Sequence, residues 1–187
     1  MAVLDATGDT LRDVRDRALL LIGFAGAFRR SELVALNKSD IRRVPQGIII
    51  NLRRSKTDQT GKGRQVAIPH GRTRWCPISA LDAWFEWSGI GDAAVFRSIN
   101  RHGVIGHGRL SAEAASLIIK QRVAATGLDP ATYSGHSLRA GFVTSAAQAG
   151  IPSWRIRQQT GHTSDTMLQR YIREGKLFVK NAAETLL

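Results

Sequence analysis

A short run of strand-type sequence inside an otherwise helical chain is the feature that most limits this fold. Gly47-Ile48-Ile49-Ile50-Asn51-Leu52 is apolar and β-branched, and Gln65-Val66-Ala67-Ile68-Pro69 repeats that character after a turn-rich stretch from Thr57 to Gly63. Branched side chains lose little rotamer freedom on a pleated surface, and a polar, glycine-rich link between two such runs reads as a β-hairpin. Lys56 and Lys62 fall at its tip. A lysine there is solvated, and it can also serve as a mobile arm that swings a charged donor into a groove.

On both sides of the hairpin the apolar residues recur at helical spacing. A helix is expected from about Thr10 to Gly26, capped by Asp9 or Thr10, and a short one over 31–36 with Ser31 as N-cap. Another runs from Pro77 to Trp87, with Leu81, Trp84 and Phe85 as its core stripe. Trp84 and Trp87 are both read as core rather than as base-stacking platforms. Ala93 to Ile99 reads as extended and Asn100 to Gly108 as a loop. Helices then follow over Ser111–Thr126, Ser137–Ala149, Pro152–Gln159 and Ser164–Ile172, with an amphipathic tail over 176–187. The expected fold class is mainly α with a small antiparallel sheet near the N-terminus (α+β), as a single domain over 1–187.

Composition narrows the function. With 43% hydrophobic and 22% charged residues the chain reads as a globular protein, yet its formal net charge is +12. The basic residues are interleaved with structured-looking sequence, as at Arg29-Arg30, Arg42-Arg43, Arg53-Arg54 and Lys62-Gly63-Arg64. That distribution suits a charged binding face for a polyanion, nucleic acid rather than membrane, the alternative being a generally basic, solvated surface. The longest apolar stretch, Ala18 to Phe28, is shorter than the about 18 residues a spanning helix needs. The N-terminal MAVLDATGDT lacks the parts of a signal peptide, and the lone Cys76 cannot form an internal disulfide, so a cytoplasmic setting is expected. His102 and His107 have no Cys or carboxylate at metal-ligand spacing, and no nucleotide-binding loop is present. No metal and no cofactor are expected.

The chemistry concentrates in the last quarter of the chain. His136 and Arg139 form an H-x-x-R at the start of a helix, Gly161-His162 follows, and then Tyr171. Two imidazoles, a guanidinium and a phenol can surround one phosphodiester. Arginine offers a planar fork to phosphate oxygens, histidine donates hydrogen bonds or moves a proton, and tyrosine is a nucleophile able to form a covalent ester. Tyr133 is the only other tyrosine and is read as structural. Arg29, in the turn between two helices, sits where a helix N-terminus meets phosphate, unless it is an ordinary surface arginine.

These stretches resemble the catalytic domain of the tyrosine recombinases, the phage integrase family. The matching pieces are Gly26-Ala27-Phe28-Arg29-Arg30-Ser31-Glu32-Leu33, Lys56 within Ser55-Lys56-Thr57, Gly135-His136-Ser137-Leu138-Arg139, Gly161-His162 and Tyr171, in family order. The resemblance implies that Arg29 and Arg139 clamp the scissile phosphate, Lys56 protonates the departing 5′ oxygen and His136 does acid–base work. It further implies that His162 hydrogen-bonds the phosphate, Tyr171 attacks to leave a 3′-phosphotyrosine, and Glu32 supports the site from behind. Arg30, Arg53, Arg54, Lys62 and Arg64 are the expected DNA-binding residues. The implied function is site-specific DNA recombination without metal or ATP. The partner is double-stranded DNA, with self-association as a tetramer on DNA through 177–187 and no small-molecule substrate.

Two residues depart from the family's usual pattern: Arg30 stands where an apolar residue is commoner, and Thr160 where a leucine is. Neither is expected to touch a catalytic position. With about ten residues before the first expected helix, the N-terminal DNA-clamping domain usual in the family is expected to be absent from this chain. Related alternatives are a type IB topoisomerase and a basic DNA-binding module without catalysis.

Overall fold

The computed structural model describes residues 2–53 and 63–162, and beyond them residues 164, 166, 168 and 169. Arg54, Lys56, Lys62, Tyr171 and the 177–187 tail lie outside the described residues. The fold is mainly helical with two small antiparallel sheets.

A short helix, α1 (Ala2–Asp5), precedes the central one, α2 (Leu11–Ala25). Thr10 caps α2 reciprocally: Asp13 N donates to Thr10 Oγ1 at 3.2 Å, and Thr10 N donates to Asp13 Oδ2 at 3.0 Å. The next helix, α3 (Arg30–Ala35), begins one residue earlier than the sequence suggests. Its N-cap is Arg29 rather than Ser31, because the buried Glu32 carboxylate accepts the Arg29 N–H at 2.9 Å and so satisfies the helix end itself.

Then come β1 (Ile41–Val44), β2 (Gly47–Leu52) and β3 (Arg64–Pro69), an antiparallel sheet in that order. The hairpin read from sequence is β2 with β3, and β1 adds an edge strand. Ile48 pairs with Ile68 and Ile50 with Val66, so that alternate residues of both strands turn one apolar face inward. That face joins one core with α2 and α4 (Pro77–Ser88), and α4 meets β3 directly. Trp84 anchors the core at 0% exposure, its indole N–H donating to Val95 O at 2.7 Å. Trp87 is 54% exposed, against expectation. It lies in the last turn of α4, beyond the edge of the core.

A second hairpin pairs β4 (Arg97–Ile99) with β5 (Ile105–Arg109), which places His107 on a strand where a loop was expected. Helices α5 (Ala112–Ala124), α6 (Ser137–Gln148) and α7 (Ser153–Thr160) follow. Buried charges tie α5 to α2: Arg122 pairs with Asp13 and Asp16, each at 2.6 Å. The large core draws on α2 through the start of α5. Val143, Ala147, Ile156 and Leu168 form a small separate core between α6 and the residues that follow it.

Candidate functional site

The site is built where the turn between α2 and α3, the start of β3, the first turn of α6 and the end of α7 meet. The α2–α3 turn is tight. Ala27 adopts φ +49°, unusual for a residue with a side chain, and a Cβ on Gly26 would lie 2.2 Å from the Phe28 ring. This geometry turns the Ala27 carbonyl toward α6, where Arg139 takes it.

Arg139 is the hub. It lies in the first turn of α6, only 6% exposed. Its Nη1 donates to Ala27 O at 2.8 Å and to Thr160 O at 2.6 Å, and its Nη2 lies 3.0 Å from His162 Nε2. One guanidinium thus joins the α2–α3 turn, the end of α7 and the second histidine. Gly161 allows this by ending α7 at φ +70°, which turns the chain and delivers His162.

Beside it stands a second basic cluster around Glu32. Arg29 Nη1 donates to Glu32 Oε1 at 2.7 Å, and Arg64 Nη2 lies 3.6 Å from Glu32 Oε2. Arg64, expected on the DNA face, instead turns inward at the head of β3. Its Nη1 donates to Gln159 O at 2.8 Å, and its Nε and Nη2 are sealed from water without a hydrogen-bond partner among the described residues. A Cβ on Gly161 would sit 2.9 Å from Arg64 Nε, so the guanidinium packs directly against the turn that carries His162. Burial, and the neighbouring Arg29 charge, hold the Arg64 pKa below its ordinary value, with Glu32 opposing. The Gln159 side chain completes the knot, donating to Ala25 O at 2.8 Å and Ala67 O at 3.1 Å.

The electrostatics of His162 record this convergence. Its pKa is lowered to about 4, first by burial, then by the charges of Arg139, Arg29 and Arg64, with Glu32 opposing. His162 is therefore neutral near pH 7. Thr160 Oγ1 lies 2.8 Å from His162 Nδ1. The residue set aside in the sequence as remote from chemistry touches a candidate catalytic histidine, since the helix end folds its side chain back over the turn.

The remaining candidates divide. His136 is the exposed N-cap of α6, one turn from Arg139 on the same helix end. Arg30 is half-buried, and its side chain lies where a Cβ on Gly135 would fall, 2.3 Å from Arg30 Cδ. Arg53 is held by Asp40, 2.6 Å away, at the end of β2 and apart from the cluster. Tyr133 packs on Leu20, Ile119 and Val123. The structure therefore brings together Arg29, Glu32, Arg64, Arg139 and His162. Sequence alone did not assign Arg64 and Thr160 to this group; their only signals were a basic residue at a strand start and a hydroxyl before Gly-His.

Positive charge held in place by backbone carbonyls and one buried carboxylate can stabilise an anion without reorganising, the arrangement suited to a phosphoryl transition state. Comparison with known proteins agrees with that chemistry. The XerD homolog named as an integrase/recombinase in Selenomonas ruminantium is 44% identical over 175 residues, covering 93% of this chain and 51% of that one. The tyrosine recombinase XerC of Roseiflexus castenholzii is 31% identical over 169 residues, covering 84% and 47%. The chain spans about half the length of such curated relatives. Among solved structures, the XerH site-specific recombinase in a post-cleavage complex with its palindromic difH substrate superposes with a TM-score of 0.75 at 19% identity, over 99% of this chain and 50% of that one. The XerA recombinase gives 0.70 at 22% identity, over 96% and 62%. At such identities the likeness is one of fold. The model of the phage integrase family matches residues 2–176, and the chain belongs to that family.

Proposed function

We propose that the chain is the catalytic domain of a site-specific DNA recombinase that cuts and rejoins strands through a tyrosyl ester. The observation that carries this reading is the Arg139 hub with Arg29 and His162 beside it: a preset cationic cradle for one phosphodiester. In the proposed step the Tyr171 oxygen attacks phosphorus and the bond from phosphorus to the 5′ oxygen breaks. The phenol proton passes to His136, and the departing oxygen takes a proton from Lys56. Arg29 and Arg139 meet the charge on the non-bridging oxygens, with His162 as a further donor. One ester replaces another, so rejoining needs no ATP, and the guanidinium groups supply the charge that a metal ion would otherwise supply.

Support comes from the relatives, which carry recombinase names, and from structural neighbours described in complex with their DNA. Double-stranded DNA is the proposed substrate, met by the basic face of a chain with net charge +12. Self-association through 177–187 is part of the same proposal. An apolar groove of about 860 Å³, lined by Leu20, Leu21, Phe24, Trp75, Leu138 and Phe142, suits Leu177, Phe178 and Leu186 of a second copy. Removing 177–187 should then abolish higher assembly on DNA, read by sedimentation.

The test of cleavage is a denaturing gel of the protein with nicked duplexes drawn from the sequence flanking its gene, run in chelator. A slow-migrating adduct should form with the wild type and with Tyr133→Phe, and vanish with Tyr171→Phe. An adduct that survives Tyr171→Phe refutes the assignment of the nucleophile.

A further inference from the structure

One donor and one acceptor against the His162 ring fix where its proton lies. Arg139 Nη2, 3.0 Å from His162 Nε2, carries only hydrogens to donate, so Nε2 must be the bare acceptor. The neutral ring then bears its proton on Nδ1, which faces Thr160 Oγ1 at 2.8 Å. That hydroxyl has one hydrogen, and it is given to Ile156 O, also at 2.8 Å. Its oxygen is therefore free to accept from Nδ1–H. Both ends of the ring agree on the same tautomer.

That tautomer is the wrong one for phosphate. An Nε2 that accepts from Arg139 cannot donate to an anionic oxygen, which is the role proposed above for His162. Engagement requires the proton on Nε2, with Arg139 Nη2 turned from the ring to the phosphate: solvent gives one proton to Nε2 and takes one from Nδ1 in slow exchange, without change of charge. Nδ1 then becomes an acceptor in a site where Thr160 is 0% exposed, and water cannot readily replace a lost donor. A threonine hydroxyl can serve both states, because it accepts or donates by rotation. A leucine or valine could serve neither. The groups that act on the ring come from every element around it: Arg139 from α6, Arg29 and Glu32 from the α2–α3 turn and α3, and Arg64 from β3.

We propose that Thr160 is a positioning residue for His162: its hydroxyl accepts from Nδ1–H in the free protein and turns to donate to Nδ1 when Nε2–H binds the scissile phosphate. This rests on the reading of the chain as a strand-cleaving enzyme, and its test separates the two. Imidazole nitrogen NMR of the free protein should show His162 protonated at Nδ1 and bare at Nε2, with the Nδ1 proton in slow exchange. Thr160→Val, which keeps the shape, should expose that proton to rapid exchange, and Thr160→Ser should restore its protection. With nicked duplexes, Thr160→Val should form adduct about tenfold more slowly, the loss of one hydrogen bond, at unchanged DNA affinity, and Thr160→Ser should recover.

A proton resident on Nε2 in the free protein overturns the proposal. So does a Thr160→Val protein that cleaves at the wild-type rate, or a loss of rate that Thr160→Ser fails to recover. If the wild type forms no adduct on any duplex, the cleavage reading fails, and the nitrogen spectra of the free protein still decide the Thr160–His162 contact.

Discussion

The body from α2 to α5 and the α6–α7 segment are built on different scales. The body has a continuous core around Trp84, Phe28, Leu19 and the inward isoleucines of β2 and β3. The α6–α7 segment has Val143, Ala147, Ile156 and Leu168, with Phe142 and Ala146 at their edge. The body supplies Arg29, Glu32 and Arg64 to the site, and the smaller segment supplies His136, Arg139, Thr160 and His162. Across the seam Leu138 packs on the body's core and Phe142 meets Phe24 edge-on at 5.8 Å between ring centres, and polar contacts join them: Arg139 to Ala27 O, Arg64 to Gln159 O, and Gln159 to Ala25 O and Ala67 O. The lesson is that Arg139, proposed to hold phosphate, also helps hold the two regions in register.

The largest expected effect comes from the body. Trp84→Ala removes a fully buried indole and its hydrogen bond to Val95 O, and should cost about 4 kcal/mol in urea unfolding, with both regions melting together. If α6–α7 keeps its far-ultraviolet signal while α2 unfolds, the two regions are independent and the contrast drawn here is wrong.

Next is the seam. Arg139→Met leaves Ala27 O and Thr160 O without their donor and should cost about 3 kcal/mol, with hydrogen exchange rising in α6 and α7 well before α2 and α4. Uniform exchange across the chain would contradict a seam held by Arg139.

A pH effect should follow from His162. Its folded pKa lies near 4, below the ordinary 6.5, so the unfolded chain binds more protons between those values. Stability from this group is complete above pH 6.5 and is lost as pH falls toward 4, on the order of 2 kcal/mol after allowing for solvent around a half-buried ring. His162→Gln should flatten the melting temperature across that window; an unchanged slope would assign the acid sensitivity elsewhere.

The smallest is Thr10→Ala, which removes the α2 cap and should cost about 1 kcal/mol, with no change in exchange at α6 or α7.

Local chemistry was legible in the sequence, and contacts across the chain were not. The Thr10 cap, the Pro77 start of α4 and the glycine that ends α7 are short-range signals, and the hairpin declared itself by its branched residues. Ser31 looked like the cap of α3, but Glu32 reaches back to the Arg29 N–H and moves the cap two residues earlier, to Arg29. Trp87 shares a helix with Trp84, and only the extent of the core decides that one is buried and the other exposed. Arg64 reads as one of many arginines on a basic hairpin until β3 is laid beside α7. Thr160 reads as a mild departure from a family pattern until the turn at Gly161 folds His162 back onto it.

The measurement that tests the central claim most directly is the mass of the peptide left when a denatured protein–DNA adduct is trimmed with nuclease and digested. A nucleotide attached to the peptide containing Tyr171, and its absence from an Arg139→Met protein supplied with the same DNA, is the expected result. A nucleotide on the Tyr133 peptide, or undiminished labelling without Arg139, would contradict the account.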